Sequence, residues 1–146
     1  MAVQDRHWNL NKKGKSIMWI FNRHGFFSAV EHRDDNTKVM VRARVAEDIH
    51  HLESVLWDYH GEKVESSHTP DGDYHYRFTV SKEIWGKYLE KEAAELDYDN
   101  FKNSVHGQSD RDSAYMGVWS AMSGFQGSRI PKDESERDFI GGKRIG

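Results

Sequence analysis

Residues Lys38 to Val45 alternate, with Val39, Val41 and Ala43 on one side of an extended chain and Met40, Arg42 and Arg44 on the other. Tyr74 to Val80 alternates in the same way, Tyr74, Tyr76, Phe78 and Val80 opposing His75, Arg77 and Thr79. If both strands share a sheet whose apolar side is covered by helices, then Arg42, Arg44, Arg77 and His75 meet on its other side, bordered by His32 and Arg33. A guanidinium group is a planar fork of donors suited to phosphate and carboxylate. The pattern therefore predicts an anion-binding sheet face, for nucleic acid, a nucleotide or an acidic protein patch. The competing arrangement is a solvated face whose arginines pair with carboxylates such as Glu31 and Glu65. A nucleic-acid surface also requires exposed aromatic rings among the arginines. The stretch Arg23 to Val30, RHGFFSAV, carries such rings, but with imperfect spacing for an RNA-recognition strand.

Other chemistry has less footing. Of nine histidines, His68 and His75 flank the turn Thr69-Pro70-Asp71-Gly72-Asp73 and are placed to approach across a hairpin. Two ligands do not make a metal site, the chain contains no HExxH, and without cysteine no Cys–His pattern is possible. Asp97 and Asp99, with Asn100, form a carboxylate pair that would suit a cation or acid–base work, and either could serve a hydrolase with His75; Asp71 and Asp73 form a similar pair, but Asp and Asn also favour such turns for local hydrogen-bonding reasons. No nucleophile elbow, phosphate loop or dinucleotide fingerprint occurs, and Gly141-Gly142-Lys143-Arg144 lies in a polar tail. No catalytic residue, metal or cofactor is assigned. Trp57 falls off the apolar stripe of its helix, beside His50 and Ser54, as an exposed protein-contact anchor would.

These residues need a scaffold, and the composition supplies one. The 146 residues suffice for about one domain, with 36% hydrophobic residues to form its core. A net charge of -3 gives no bulk attraction to nucleic acid or membrane, so a basic surface must be local. The absence of cysteine fits a reducing, cytoplasmic setting. No apolar run is long enough for a membrane span.

Met18–Phe21 and Phe26–Val30 are predicted strands joined by an Asn22–Gly25 turn. After the strand at Lys38–Val45, the apolar period becomes helical through Val45, Ile49, Leu52, Leu56 and Tyr59, with Gly61 as the stop. A weaker strand is expected near Lys63–Ser67. Ser81 should cap a second helix carrying Ile84, Trp85, Tyr88, Leu89 and Leu96, broken at Asp97–Asn100. A last helix, about Asp110 to Phe125, has Tyr115, Val118, Trp119 and Met122 as its stripe. The resulting expectation is an α+β fold: an antiparallel sheet of four to five strands with two to three helices packed on one face. Residues 1–17 form a basic arm, 18–126 the single domain and 127–146 a polar tail.

Met18-Trp19-Ile20-Phe21, Gly25-Phe26-Phe27-Ser28, Val41-Arg42-Ala43-Arg44, Asp73-Tyr74-His75-Tyr76-Arg77, Asp97 to Lys102 and Val118 to Met122 together resemble a group of short bacterial proteins with no assigned activity. The resemblance spans roughly Met18 to Gln126. It implies one intact domain of bacterial or phage origin and supplies no catalytic residues.

The expected function is that of a non-enzymatic binding or regulatory protein, with another protein as the partner, engaged through Arg42, Arg44 and Arg77 or through Trp57. A phage- or immunity-type inhibitor of a host protein fits this description. The alternatives are a nucleic-acid-binding module using the same face and a small hydrolase built on His75.

Overall fold

A computed structural model of the protein describes residues 16–97 and 101–129, the side chains of Lys102 and Asn103 aside. The chain divides into two compact units, at 1–97 and 98–146. The first holds β1 (Ile17–Asn22), β2 (Gly25–Glu31), β3 (Lys38–Ala43), α1 (Ala46–His60), β4 (Ser67–His68), β5 (Tyr76–Ser81) and α2 (Lys82–Ala94). The second holds α3 (Phe101–Ser104) and α4 (Ser109–Ser128). Most of the arm and tail, and Tyr98, Asp99 and Asn100, lie outside the described residues.

The α+β expectation holds. Five strands form one sheet in the order β1-β2-β3-β5-β4, every neighbouring pair antiparallel. Side chains alternate between its faces. Phe27, Ala29, Val39, Val41, Ala43, Phe78 and Val80 are buried on one face against Ile49, Leu52, Val55 and Leu56 of α1 and Trp85 and Tyr88 of α2. Gly61 takes a left-handed φ of 62° and ends α1, while the Glu62 amide reaches back to the Leu56 carbonyl. Ser81 Oγ accepts from the Ile84 amide at 3.1 Å and starts α2.

Two side chains from the helices hold the β1–β2 hairpin. Asp48, in the first turn of α1 and 3% exposed, accepts from the Phe26 amide at 3.0 Å. Asn22 Oδ1 accepts from the His24 and Gly25 amides, closing the turn, while Asn22 Nδ2 donates to the Tyr88 hydroxyl of α2 at 3.1 Å. Glycine is needed at position 25 because a Cβ there would lie 2.8 Å from Asp48 and 2.7 Å from the Phe27 ring.

Four sequence expectations change. The strand predicted near Lys63–Ser67 shrinks to two residues, Ser67 and His68. The second alternating strand starts at Tyr76 rather than Tyr74, because residues 71–75 bend. The α4 stripe is largely uncovered: Tyr115 is buried, whereas Trp119 and Met122 are exposed. Leu96 lies beyond the end of α2 and is exposed. Among the described residues no helix is long and apolar enough to cross a membrane.

Two outcomes test this framework. Gly25→Ala should destabilise the chain by about 1–3 kcal/mol, because neither Asp48 nor the Phe27 ring can yield cheaply; an unchanged urea midpoint would contradict the contact. His24 stacks on His51 at 4.3 Å, and burial first, then the charges of His51, Arg23 and Lys91, lower its pKa from 6.5 to about 4. In that window the unfolded chain binds more protons than the folded one, so stability falls as pH drops from 6.5 towards 4. A His24→Phe variant should show a shallower loss of melting temperature across this range, compared by thermal denaturation at matched pH values.

Candidate functional site

The face of the sheet opposite the helices carries the arginines. Cross-strand pairing sets Trp19 against Ser28, Ser28 against Arg42, Arg42 against Arg77, and Arg77 against Ser67, so these five form one row across all five strands. A second row places Phe21 against Phe26, and Arg44 follows on from β3. A third sets Ile17, Val30, Met40 and Thr79 side by side.

Arg42 and Arg77 thus face each other directly, an arrangement that costs stability when both carry charge. Neutral acceptors hold the guanidinium groups: Arg42 Nη2 donates to Ser28 Oγ at 2.8 Å, Arg44 Nη1 to the Asp73 carbonyl at 2.7 Å and Arg77 Nη2 to the Tyr74 carbonyl at 3.1 Å. The Nε atoms of Arg42 and Arg77 are buried without a hydrogen-bond partner. None of the three arginines makes an ion pair among the described residues. Glu31 pairs with Lys82 at 2.6 Å instead, and Glu65 pairs with no cation there.

Tyr74 replaces His75 on this face. The bend before β5 rotates Tyr74 beneath the arginines, with the Arg42 and Arg44 guanidinium carbons 4.6 and 4.3 Å from its ring centroid. Each contact is a cation–π interaction, worth about 0.5–2 kcal/mol depending on desolvation. Strand alternation carried through position 74 had assigned Tyr74 to the core and His75 to the arginines; the bend shifts the parity by one. The His75 ring meets instead those of His68, 6.1 Å away, and Tyr76, 6.4 Å away. The two histidines do approach across the hairpin, and His68 stacks on Tyr76 at 4.8 Å. Among the described residues no carboxylate reaches ion-pair distance of His75, and no set of three His, Asp or Glu side chains is placed to hold a metal ion. Asp99, proposed as a partner for His75, lies outside the described residues.

Aromatic rings continue from Tyr74 to the sheet edge. Phe26 lies 6.2 Å from Tyr74, stacks on Phe21 at 4.4 Å and meets Trp19 edge-to-face at 5.7 Å. Trp19 itself is 62% exposed. A depression opens between Trp19 and Arg42. This open groove of about 540 Å³ is lined by Ile17, Trp19, Arg42, Asp73 and Tyr74.

Sequence reasoning missed Trp19, Phe26 and Tyr74 as site residues. Carrying the strand pairing from Arg42 through Ser28 to Trp19 would have found the first, since a tryptophan in line with arginines on a solvent face is unusual. Trp57 is 58% exposed on α1, a helix packed against the other face of the sheet, so it does not join the arginines. Compared with protein-family models, curated proteins and solved structures, the chain matches none.

Because the arginines repel one another and pair with no carboxylate among the described residues, salt should relieve the strain. Raising NaCl to about 0.3 M should increase the melting temperature, and Arg42→Gln should reduce that gain, in line with the roughly 0.2–1 kcal/mol of a cross-strand charge pair. Equal salt responses in the two proteins would show that the charges are already neutralised.

Proposed function

We propose that the chain is a non-enzymatic binding domain that recognises a polyanionic macromolecule through the outer face of its sheet. The observation that carries this reading is the set of three guanidinium groups on one face, held by neutral acceptors, with no carboxylate within ion-pair distance among the described residues. Such an arrangement sacrifices stability, and an anionic ligand would recover it by occupying the remaining donors. The net charge of -3 does not oppose this, because screening limits charge interactions in physiological salt to about 8 Å and the patch acts locally.

A second reading rests on Trp57, 58% exposed on α1. Exposed tryptophan and tyrosine are common anchors of protein interfaces, and a partner docked there would make the chain a regulator or inhibitor of another protein. Trp57→Ala should then remove a co-purifying partner and leave polyanion binding unaltered.

Heparin retention tests the first reading. Wild-type protein should bind immobilised heparin at low salt and elute as salt rises. Arg42→Glu/Arg77→Glu should pass through, whereas the charge-matched Lys87→Glu/Lys91→Glu, on α2 behind the other face, should still be retained. Equal loss in both double variants, or retention of the arginine variant, would overturn the proposal.

A further inference from the structure

We infer that the polyanion is a single-stranded nucleic acid, with one base seated on Trp19 in the groove and the adjoining phosphates on Arg42 and Arg44. This inference rests on the polyanion-binding reading and adds the identity of the ligand.

The groove does not suit a phosphate alone. Ile17, Trp19 and Tyr74 give it apolar walls, and Asp73 is the acidic residue of its lining, which disfavours a bare phosphate. One Asp73 oxygen accepts from the Tyr74 amide at 2.9 Å. An ionised carboxylate has further lone pairs, which suit the exocyclic amino group of a base. A flat ring with amino edges therefore satisfies the groove, and a phosphodiester satisfies the arginines beside it. An acidic peptide would satisfy only the arginines.

The spacing fits as well. Neighbouring strands lie about 4.8 Å apart, so Trp19 and Arg42, two strands apart, are separated by roughly 10 Å, and Arg77 lies one strand further on. The row thus offers room for about two or three nucleotides, as sheet-face binders of single strands do. Trp19 is largely exposed yet fixed against Phe26, which keeps a stacking surface in place without loop ordering. Paired bases are stacked inside a duplex and cannot reach this ring, so a duplex would use the arginines alone.

The test uses the full chain and fluorescence anisotropy with end-labelled strands of about 12 nucleotides, which exceeds the span of the row. The probes are RNA, DNA, the corresponding DNA duplex, an abasic DNA strand and a poly-glutamate peptide. RNA or DNA single strands should bind more tightly than the duplex, the abasic strand and the peptide; a preference for either sugar identifies which polymer is favoured. Trp19→Ala should weaken single-strand binding by about five- to one-hundred-fold, Trp19→Phe should restore part of it, and heparin retention should not move. Thermal denaturation of each variant checks that the fold persists. If the abasic strand, duplex or peptide binds as tightly as the single strands, or Trp19→Ala has no effect, the single-strand assignment is wrong, and the polyanion reading stands provided Arg42→Glu/Arg77→Glu still abolishes binding. If that double variant retains both heparin and strand binding, the underlying reading fails with it.

Discussion

The direct pairing of Arg42 with Arg77 across β3 and β5 is the constraint from which the rest of the surface follows. Two like charges opposite each other on adjacent strands oppose folding. The register cannot slip to separate them, because a one-residue shift would carry Val39, Val41, Phe78 and Val80 out of the core. The surrounding residues instead accommodate the charges. Ser28 accepts a hydrogen bond from one, the backbone turn ahead of β5 accepts from another, and the Tyr74 ring meets both Arg42 and Arg44. Gly72 allows that turn close to Arg77, since a Cβ there would stand 3.2 Å from its guanidinium. Each accommodation is neutral, so the charge remains available to a ligand.

The hydrophobic side of the sheet determines where the aromatic part of this surface stands. Asp48 from α1 and Tyr88 from α2 grip the β1–β2 hairpin at its turn. The hairpin in turn places Phe21, Phe26 and Trp19 on the face opposite α1 and α2. A change at Gly25 or Asp48 would therefore reach Trp19 through the hairpin, although neither residue lies on the binding face. Core packing and the placement of this aromatic surface are linked through the alternation of a single pair of strands.

Most of the scaffold was legible in the sequence because its elements carry strong local signals. The hairpin turn, the alternation of β3, the Ile49, Leu52 and Leu56 stripe of α1, its glycine stop and the serine cap of α2 all appear where period and turn chemistry place them, whereas Val45 and Tyr59, expected on that stripe, are exposed. The sharing of one face by Arg42, Arg44 and Arg77 was legible for the same reason. His75 was misplaced because alternation was extended through a bend: Asp71, Gly72 and Asp73 mark a turn, but its exit point depends on hydrogen bonds such as that from Thr69 Oγ1 to the Tyr74 carbonyl. Trp19 was overlooked because its significance lies in cross-strand partners, and pairing is a tertiary property. The exposure of Trp119 and Met122 was not legible either, since an apolar stripe on α4 specifies a face but not what covers it.

The central claim is that ligand meets the open face of the sheet. The most direct measurement is a heteronuclear NMR titration with a short single-stranded oligonucleotide, following tryptophan indole and arginine Nε–H signals. The five tryptophans include Trp19 on the sheet and Trp57 on α1, so each surface has its own reporter. The account predicts shifts for the Trp19 indole and the Arg42 and Arg77 Nε–H groups, with the Trp57 indole unmoved. Shifts confined to Trp57, with the arginine signals unchanged, would contradict it.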